Sequence, residues 1–188
     1  MYLTKTKFRQ TCLKQMKNAP VHNRLYRTSL LNLKLQKELK NYKNKRILFY
    51  YPLPFEANIV KTLKNLRKTS DVFIPFMQGK SFKMVPFRLP LKKNRVGILE
   101  AGDTNNNIKN IDVAIVPVVG VDGNLQRIGF GKGMYDRFFE KLRKRPYTIF
   151  IQPKFCYTKK TICDHYDITC DLLLTPKVRL VNKGIKRC

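Results

Sequence analysis

The order of an apolar run, a glycine-rich loop and a helical pattern over residues 112–144 most constrains how this chain can fold. Residues 112–119 read DVAIVPVV, an apolar and β-branched run that is typical of a buried strand. Residues 134–144 carry apolar side chains at helical spacing. Between them, the run RIGFGKG places glycine at alternate positions. Glycines at such a strand-to-helix turn let backbone N–H groups approach an anion closely.

Two cations in the loop make phosphate the expected anion. Arg127 and Lys132 supply the positive charge that phosphate groups need. The loop is neither G-x-G-x-x-G nor a P-loop, because its glycines alternate and Gly131-Lys132 is followed by Gly133 rather than Ser or Thr. The alternative is a glycine-rich turn whose charges are only solvated. We interpret the loop as a nucleotide-phosphate site.

The remaining patterns predict strands that alternate with helices. We expect one α/β domain over residues 1–188, a three-layer sandwich with a mainly parallel central sheet flanked by helices and with the N-terminal helices packed on it. The Lys/Arg-rich tail after Thr175 is expected to be a frayed end. Thr4 is a candidate N-cap, and Pro20 interrupts the N-terminal helical pattern. The predicted helices cover 4–18, 21–41, 59–68 and 134–144; the predicted strands cover 47–51, 72–75, 112–119, 148–151 and 171–175, with a hairpin at 78–87 and a loop at 105–107.

Apolar runs and cysteines indicate the compartment. No apolar run approaches the roughly 18 residues of a membrane span, and the first residues lack the apolar core of a signal peptide. The five cysteines are odd in number and form no C-x-x-C pair, so reduced thiols in a cytoplasmic protein are expected. Cys163, His165 and Cys170 do not have a standard zinc-ligand spacing.

The formal charge of +27, from 39 basic and 12 acidic residues, taken alone indicates a polyanionic partner such as nucleic acid. The basic residues are spread along the whole chain, however, and no helix-turn-helix, zinc-finger or RNA-binding sheet signature accompanies them. A generally basic proteome and the steering of anionic small molecules toward a basic cleft explain the charge equally well. Charge alone does not decide between these alternatives.

The loop together with four other segments resembles a known family. Residues 127–137, RIGFGKGMYDR, are similar to the signature of the 5-formyltetrahydrofolate cyclo-ligases, also called 5,10-methenyltetrahydrofolate synthetases. The resemblance runs from about residue 5 to residue 176, with its landmarks in the family's order. The other four segments are KTKFR at 5–9, YPLPFE at 51–56, GILEA at 97–101 and YDITCDLLLT at 166–175.

The resemblance implies an enzyme that uses ATP and Mg²⁺ to convert 5-formyltetrahydrofolate to 5,10-methenyltetrahydrofolate. The formyl oxygen is phosphorylated, the neighbouring folate nitrogen attacks, and ADP and phosphate are released without a protein nucleophile. The expected partner is a reduced folate, with or without a polyglutamate tail, and a monomer with no membrane contact is expected. One alternative is a nucleic-acid-binding protein or a degenerate family member without ligase activity. Another is a related ATP-dependent enzyme for a different pterin or a thiamine-like substrate.

The resemblance also assigns residues to ATP and to the metal. Asp136 would bind Mg²⁺, although a carboxylate there also stabilises the helix dipole. Asp171 would be a second metal ligand, and Asp167 is a weaker candidate. Tyr135 has the helix–sheet core as its alternative position. The implied ATP-binding residues are Lys5, Arg9, Arg127, Gly129, Gly131, Lys132, Gly133, Met134 and Tyr135.

For the folate, the resemblance implies that Glu56 hydrogen-bonds the pterin edge, while Tyr51 and Phe130 line the same pocket. An ordinary surface glutamate is the alternative for Glu56. Five residues depart from the family's pattern but remove no expected phosphate or metal ligand; they place efficiency and substrate preference in question. They are Phe130, Met134, Ala101, Cys156 and Tyr166.

Overall fold

The computed structural model describes residues 2–18, 23–95, 97–104, 108 and 110–184. The expected helix break at Pro20 and the loop at 105–107 lie outside the described residues. The elements in chain order are α1 (Lys5–Lys17), α2 (Arg24–Leu39), β1 (Arg46–Leu48), α3 (Val60–Leu66), β2 (Asp71–Gln78), β3 (Ser81–Pro86), β4 (Lys92–Lys93), β5 (Leu99–Glu100), β6 (Val113–Pro117), β7 (Gly120–Val121), β8 (Arg127–Ile128), α4 (Met134–Glu140), β9 (Tyr147–Ile151), β10 (Leu172–Leu174) and β11 (Arg179–Val181).

Seven strands form the central sheet in the order β11-β10-β9-β6-β1-β2-β3. The five inner strands are parallel, whereas β11 and β3 run antiparallel to their neighbours at the two edges. Parallel neighbours need crossover connections, which the helices and long loops provide. The predicted mainly parallel α/β sheet with flanking helices is confirmed.

Successive residues of the inner strands point to opposite faces, and both faces are covered. Ile47 belongs to a core cluster with Leu35 of α2, whereas Leu48 belongs to a second cluster with Phe138 of α4. Such two-sided burial explains why these strands read as continuous apolar runs rather than as alternating ones.

Helix α1 packs separately, at the carboxyl end of the sheet. Its buried residues Phe8, Cys12 and Met16 recur at helical spacing and form a third cluster with Val119 and Ile128. The expected cap is confirmed, since the Thr4 hydroxyl accepts a hydrogen bond from the Lys7 N–H at 3.3 Å. This packing turns one face of α1 toward the glycine-rich loop.

The expectation that all cysteines are reduced thiols is wrong. Cys12 of α1 and Cys156, which follows β9, form a disulfide across 144 positions of sequence. Both lie in the third cluster, and the packing of α1 brings their sulfur atoms together. Cys163 and Cys170 are free thiols.

The tail after Thr175 is not simply frayed. Arg179–Val181 forms β11 on the edge of β10, where Leu180 packs against the second core cluster and Arg179 pairs with Glu38 of α2.

The helix predicted to reach Lys144 ends at Glu140. Among the described residues, no helix combines the length and apolar character that a membrane crossing requires.

Candidate active site

The glycine-rich loop, residues 129–133, leads from β8 into α4. A Cβ added at Gly129 would lie 2.5 Å from Nη1 of Arg127, so a side chain there would displace the guanidinium. Gly131 has φ +100°, a backbone conformation that side-chain-bearing residues rarely adopt. The two glycines therefore let the loop fold tightly over the Arg127 side chain.

Arg127 is buried, with 6% of its surface exposed. Its Nη1 lies 3.3 Å from Oδ2 of Asp136, and its guanidinium carbon lies 4.9 Å from the centre of the Tyr135 ring. Its Nε donates to the carbonyl of Pro117 at 3.4 Å. A buried cation is tolerated when it is paired and hydrogen-bonded in this way. The interactions hold the guanidinium in one orientation under the loop.

A large cavity, which we call the cationic cleft, lies along the loop, α1 and the segment 164–169. Its volume is about 1080 Å³. Six cations and four acids line it, and such an excess of positive charge favours an anionic ligand. The cations are Lys5, Arg9, Arg127, Lys132, Arg137 and Arg145; the acids are Asp136, Glu140, Asp164 and Asp167.

Lys5 and Arg9 reach the cleft from one face of α1, as their four-residue spacing predicts. Nε of Arg9 donates to the carbonyl of Gly129 at 2.9 Å, which ties the helix to the loop. Lys5 contacts Asp167 and lies 3.0 Å from Asp164. Burial alone would lower the pKa of Lys5, but the two carboxylates outweigh it and raise the pKa. Lys5 is therefore charged, and an entering anion would compete with its carboxylate partners.

A second cavity, which we call the aromatic pocket, has a volume of about 290 Å³. The rings of Phe55 and Phe130 meet there with their centres 5.1 Å apart. Aromatic and apolar walls of this kind accept a flat, ring-shaped ligand. The lining includes Tyr50, Tyr51, Phe55, Glu56, Met77, Phe82, Phe130, Met134 and Tyr135.

Glu56 is the acid in the aromatic pocket, and only 8% of its surface is exposed. Its Oε2 accepts a hydrogen bond from the Leu53 N–H at 2.9 Å. Burial raises the pKa of Glu56 to about 7, an effect that the Leu53 N–H and the charge of Arg127 reduce only in part. Near neutral pH the carboxyl group therefore exists in both protonation states.

The two cavities meet at one wall. Arg127, Lys132 and Gly133 line both the cationic cleft and the aromatic pocket. A ligand in the cleft and a ligand in the pocket would consequently approach each other beside two cations.

Seven of the nine residues expected to bind ATP line the cationic cleft, whereas Met134, Tyr135 and the expected metal ligand Asp171 do not. Met134 and Tyr135 line the aromatic pocket, and Tyr135 also packs edge-on against Phe82 of the core at 4.9 Å. Asp171 lines neither cavity: it is buried and accepts hydrogen bonds from the Thr148 N–H at 2.7 Å and from Arg145 at 3.1 Å. Asp171 is therefore not among the residues that line the cleft with Asp136, whereas Asp167 is.

Sequence reasoning missed several residues that line these cavities. Arg137 and Arg145 line the cleft, as does Asp164, and Phe55 lines the aromatic pocket. Arg137 lies within the loop signature, so its position was a usable signal. Phe55 lies within the YPLPFE segment, which was a usable signal in the same way. Arg145 and Asp164 carried no local signal, because their placement depends on how distant segments pack.

No group of three or more His, Cys, Asp or Glu side chains within the described residues is arranged to hold a metal ion by itself. Asp136, Asp164 and Asp167 are the aspartates that line the cleft, and they are not arranged as a metal-binding group by themselves, so a metal ion there would need ligands from a bound molecule as well.

Comparison with known proteins assigns this arrangement to a family. A profile of the 5-formyltetrahydrofolate cyclo-ligase family matches residues 3–176. The chain belongs to this family. It is similar to the 5-formyltetrahydrofolate cyclo-ligase of Mycoplasma pneumoniae, with 25% identity over 132 residues that cover 69% of this chain and 79% of that protein. The cyclo-ligase of Mycoplasma genitalium is 37% identical over 75 residues, covering 38% and 45% of the two chains.

Solved structures support the cyclo-ligase fold. The 5,10-methenyltetrahydrofolate synthetase of Aquifex aeolicus matches with a TM-score of 0.81 at 21% identity, covering 99% of this chain and 96% of that one. The synthetase of Mycoplasma pneumoniae matches with a TM-score of 0.70 at 20% identity, covering 93% of this chain and all of that one. At these identities the match establishes the fold alone.

Proposed function

We propose that this cyclo-ligase family member converts 5-formyltetrahydrofolate to 5,10-methenyltetrahydrofolate with ATP and Mg²⁺, as a cytoplasmic monomer. The observation that carries the proposal is the wall shared by the two cavities. A nucleotide in the cationic cleft and a folate in the aromatic pocket would meet beside Arg127 and Lys132. Proximity of this kind is the main source of catalysis in phosphoryl transfer.

ATP occupies the cationic cleft in this proposal. The loop amides of Gly129, Gly131 and Gly133 face the triphosphate, and Lys5 and Arg9 approach it from α1. Lys132 lies at the shared wall and is exposed, so its ammonium is free to follow the terminal phosphate. The six cations of the cleft exceed its four acids, which supports binding of a polyanion.

The folate places its pterin in the aromatic pocket. Pterin rings are flat and carry N–H donors along one edge. A buried carboxyl group can accept hydrogen bonds from these donors. Glu56 supplies that group, while Tyr51 and Phe130 contribute pocket walls. The pKa of Glu56, which burial raises to about 7, allows the group to be ionised or protonated as the ring requires.

The reaction needs positioning and charge neutralisation rather than a protein nucleophile. The formyl oxygen attacks the terminal phosphorus of ATP, and ADP leaves. The neighbouring folate nitrogen then attacks the activated carbon, and inorganic phosphate leaves as the ring closes. Arg127 and Lys132 offset the charge that develops on the transferred phosphoryl group. Burial raises the pKa of the Cys163 thiol, which keeps this cysteine near the cleft protonated and unreactive.

The carboxylates of the cleft fit Mg²⁺ carried by the nucleotide. Such an ion takes most of its ligands from phosphates and water and only one or two from carboxylates. Asp136 would hold it, with Asp167 as the other candidate, because both line the cleft. Asp171 fits less well, since it does not line the cleft and its oxygens already accept hydrogen bonds from the Thr148 N–H and from Arg145. When bound, the ion supplies further neutralisation of phosphate charge.

A direct test follows the ultraviolet absorbance of the methenyl product with 5-formyltetrahydrofolate and Mg-ATP. Wild-type protein is expected to show a rise that requires both ATP and Mg²⁺. Lys132→Ala should lower kcat by about 100-fold, because a cation beside the transferred group is lost. Lys61→Ala on α3 removes an exposed lysine that lines none of these cavities and should leave the rate unchanged. No product from folded wild-type protein would refute the proposal.

The charge of +27 supports a second candidate, binding of nucleic acid. That candidate requires an affinity for RNA or DNA that falls steeply with salt concentration. If wild-type protein forms no methenyl product and binds nucleic acid in this way, the second candidate replaces the first. Turnover of another pterin or of a thiamine-like compound would instead support a related ATP-dependent enzyme.

A further inference from the structure

The strands β9, β6, β1 and β2 are neighbours in the sheet and run parallel, so their amino ends lie at one edge. Six of the basic residues that precede or begin β9, β1 and β2 are exposed and line neither the cationic cleft nor the aromatic pocket. We call this row the basic rim. Its members are Lys43, Lys45, Arg46, Lys68, Arg143 and Lys144.

Backbone hydrogen bonds fix the rim from one strand start to the next. The Asp71 N–H donates to the carbonyl of Lys45 at 3.0 Å, which joins β2 to β1. The Asp112 N–H donates to the carbonyl of Arg46 at 2.9 Å, and the Tyr147 N–H donates to that of Asp112 at 2.8 Å, which continues the line to β6 and β9. Neighbouring strands lie about 4.8 Å apart, so the rim spans roughly 14 Å from β9 to β2.

The positive charge of the rim has little compensation within the protein. Two acids lie at the same strand starts, Asp71 and Asp112, and Asp112 accepts the backbone N–H of Arg46 at 2.8 Å. Within the residues that the structure describes, no ion pair involves a cation of the rim. Like charges held in one row repel each other, and a bound polyanion would relieve that repulsion. The rim is therefore suited to an extended anionic partner.

The surroundings of the rim decide which kind of polyanion fits. Among the described residues, no large exposed apolar side chain lies within 40–46, 64–71 or 143–147. A lipid surface or a protein interface needs such side chains, and a single strand of nucleic acid needs exposed rings on which its bases stack. The ring of Tyr42 is half-buried and stacks on Tyr147 with the ring centres 5.6 Å apart, so it is already engaged.

A nucleic-acid duplex matches the rim without apolar contacts. It presents phosphates on its outside, one per 3.4 Å along each strand, so about four phosphates cover the roughly 14 Å of the rim. Lysine and arginine side chains hold a duplex by these phosphates without reading its bases, which requires no base-reading motif.

We propose that the basic rim binds the phosphate backbone of a nucleic-acid duplex. The rim lies outside both cavities, so this binding adds to the proposed function and does not depend on it. The contact is independent of base sequence, and it is electrostatic, so it weakens steeply as the salt concentration rises.

The test measures fluorescence anisotropy of short labelled DNA and RNA duplexes of mixed sequence over a series of salt concentrations. Both duplexes offer the same phosphate charge, and the more tightly bound one identifies the partner. The variant combines Lys43→Gln, Lys45→Gln and Lys68→Gln, which removes three charges from the rim.

The matched control removes the same number of charges from exposed lysines that follow β9 at the opposite edge of the sheet. Its substitutions are Lys154→Gln, Lys159→Gln and Lys160→Gln. A second rim variant, Arg143→Gln with Lys144→Gln, changes the end of the rim next to β9. Urea unfolding midpoints equal to that of wild type show that the variants are folded.

For wild type, the logarithm of the association constant should fall with the logarithm of salt concentration with a slope of about −4, as four phosphate contacts require. The triple rim variant should have a slope shallower by about 3 and an affinity about 100-fold lower at 0.1 M salt. The second rim variant should lose about 2 from the slope. The control should keep the wild-type slope, and a single strand should bind more weakly than the duplex.

Three results would overturn the inference. Equal changes in slope for the triple rim variant and its control would show that the whole surface charge, and not the rim, attracts the duplex. Displacement of the duplex by saturating Mg-ATP at constant ionic strength would place it in the cationic cleft. A single strand bound more tightly than the duplex would contradict binding by phosphates alone. Methenyl formation on the same samples tests the proposed function separately, because the rim variants leave both cavities unchanged.

Discussion

Glu56→Gln should change how the stability of this protein depends on pH. The wild-type carboxyl group is buried, and its pKa is raised from 4.5 to about 7. At about 1.4 kcal/mol for each pKa unit, ionising Glu56 in the folded protein costs about 3 kcal/mol more than in the unfolded chain. Glutamine has a similar shape, keeps an acceptor for the Leu53 N–H and does not ionise.

The direction of the effect follows from the raised pKa. The favourable contribution of protonated Glu56 is fully present below pH 4.5 and is lost as pH rises through about 7. The free energy of unfolding of Glu56→Gln, relative to wild type, should therefore rise by about 3 kcal/mol between acidic and mildly alkaline pH. Most of the change should fall between the unfolded and folded pKa values.

Urea unfolding across this pH range measures the difference directly. Glu140→Gln, which changes an exposed glutamate in α4, should run parallel to wild type. Parallel curves for Glu56→Gln and wild type would show that Glu56 ionises as freely as a surface glutamate. That result would refute the reasoning that burial raises the pKa of Glu56 in the aromatic pocket to about 7.

Two further perturbations test the frame around the site. Reducing the Cys12–Cys156 disulfide should destabilise the protein by about 2–5 kcal/mol, because it closes a loop of 144 positions. Denaturant unfolding with and without reductant measures this loss of stability, and Cys163→Ser, which changes a free thiol, is the control. An unfolding midpoint that reductant leaves unchanged would contradict the prediction. Phe130→Ala removes the ring contact with Phe55 and should weaken folate binding about tenfold while the KM for ATP stays the same. A raised KM for ATP with unchanged folate binding would contradict this, because it would show that Phe130 contacts the nucleotide and not the folate.

The main strands and helices were predictable because their signals are local. The run at 112–119 is apolar on both faces, as a covered parallel strand requires, and the structure shows β6 there. The strand β11 was missed because it is a three-residue strand within a Lys/Arg-rich tail and it gains its place only by pairing with β10. The disulfide was missed for the same reason, since packing of α1 brings together two cysteines with no local spacing signal.

The cavities show the same division between local and non-local information. Alternate glycines with Arg127 and Lys132 indicated an anion site, and these residues line the cationic cleft. The side of the loop on which Tyr135 lies depends on how α4 packs on the sheet, which the sequence does not state. Similarly, the position of Asp171 depends on how β10 pairs with β9. Its carboxylate accepts a hydrogen bond from the Thr148 N–H and does not line the cleft.

The most direct measurement of the central claim labels the formyl oxygen of 5-formyltetrahydrofolate with a heavy oxygen isotope and follows it through one turnover with Mg-ATP. If nucleotide and folate meet at the wall formed by Arg127, Lys132 and Gly133, the formyl oxygen attacks the terminal phosphorus. The account predicts that the label appears in inorganic phosphate as the methenyl product forms. Unlabelled phosphate, with the label in water or formate, would contradict it.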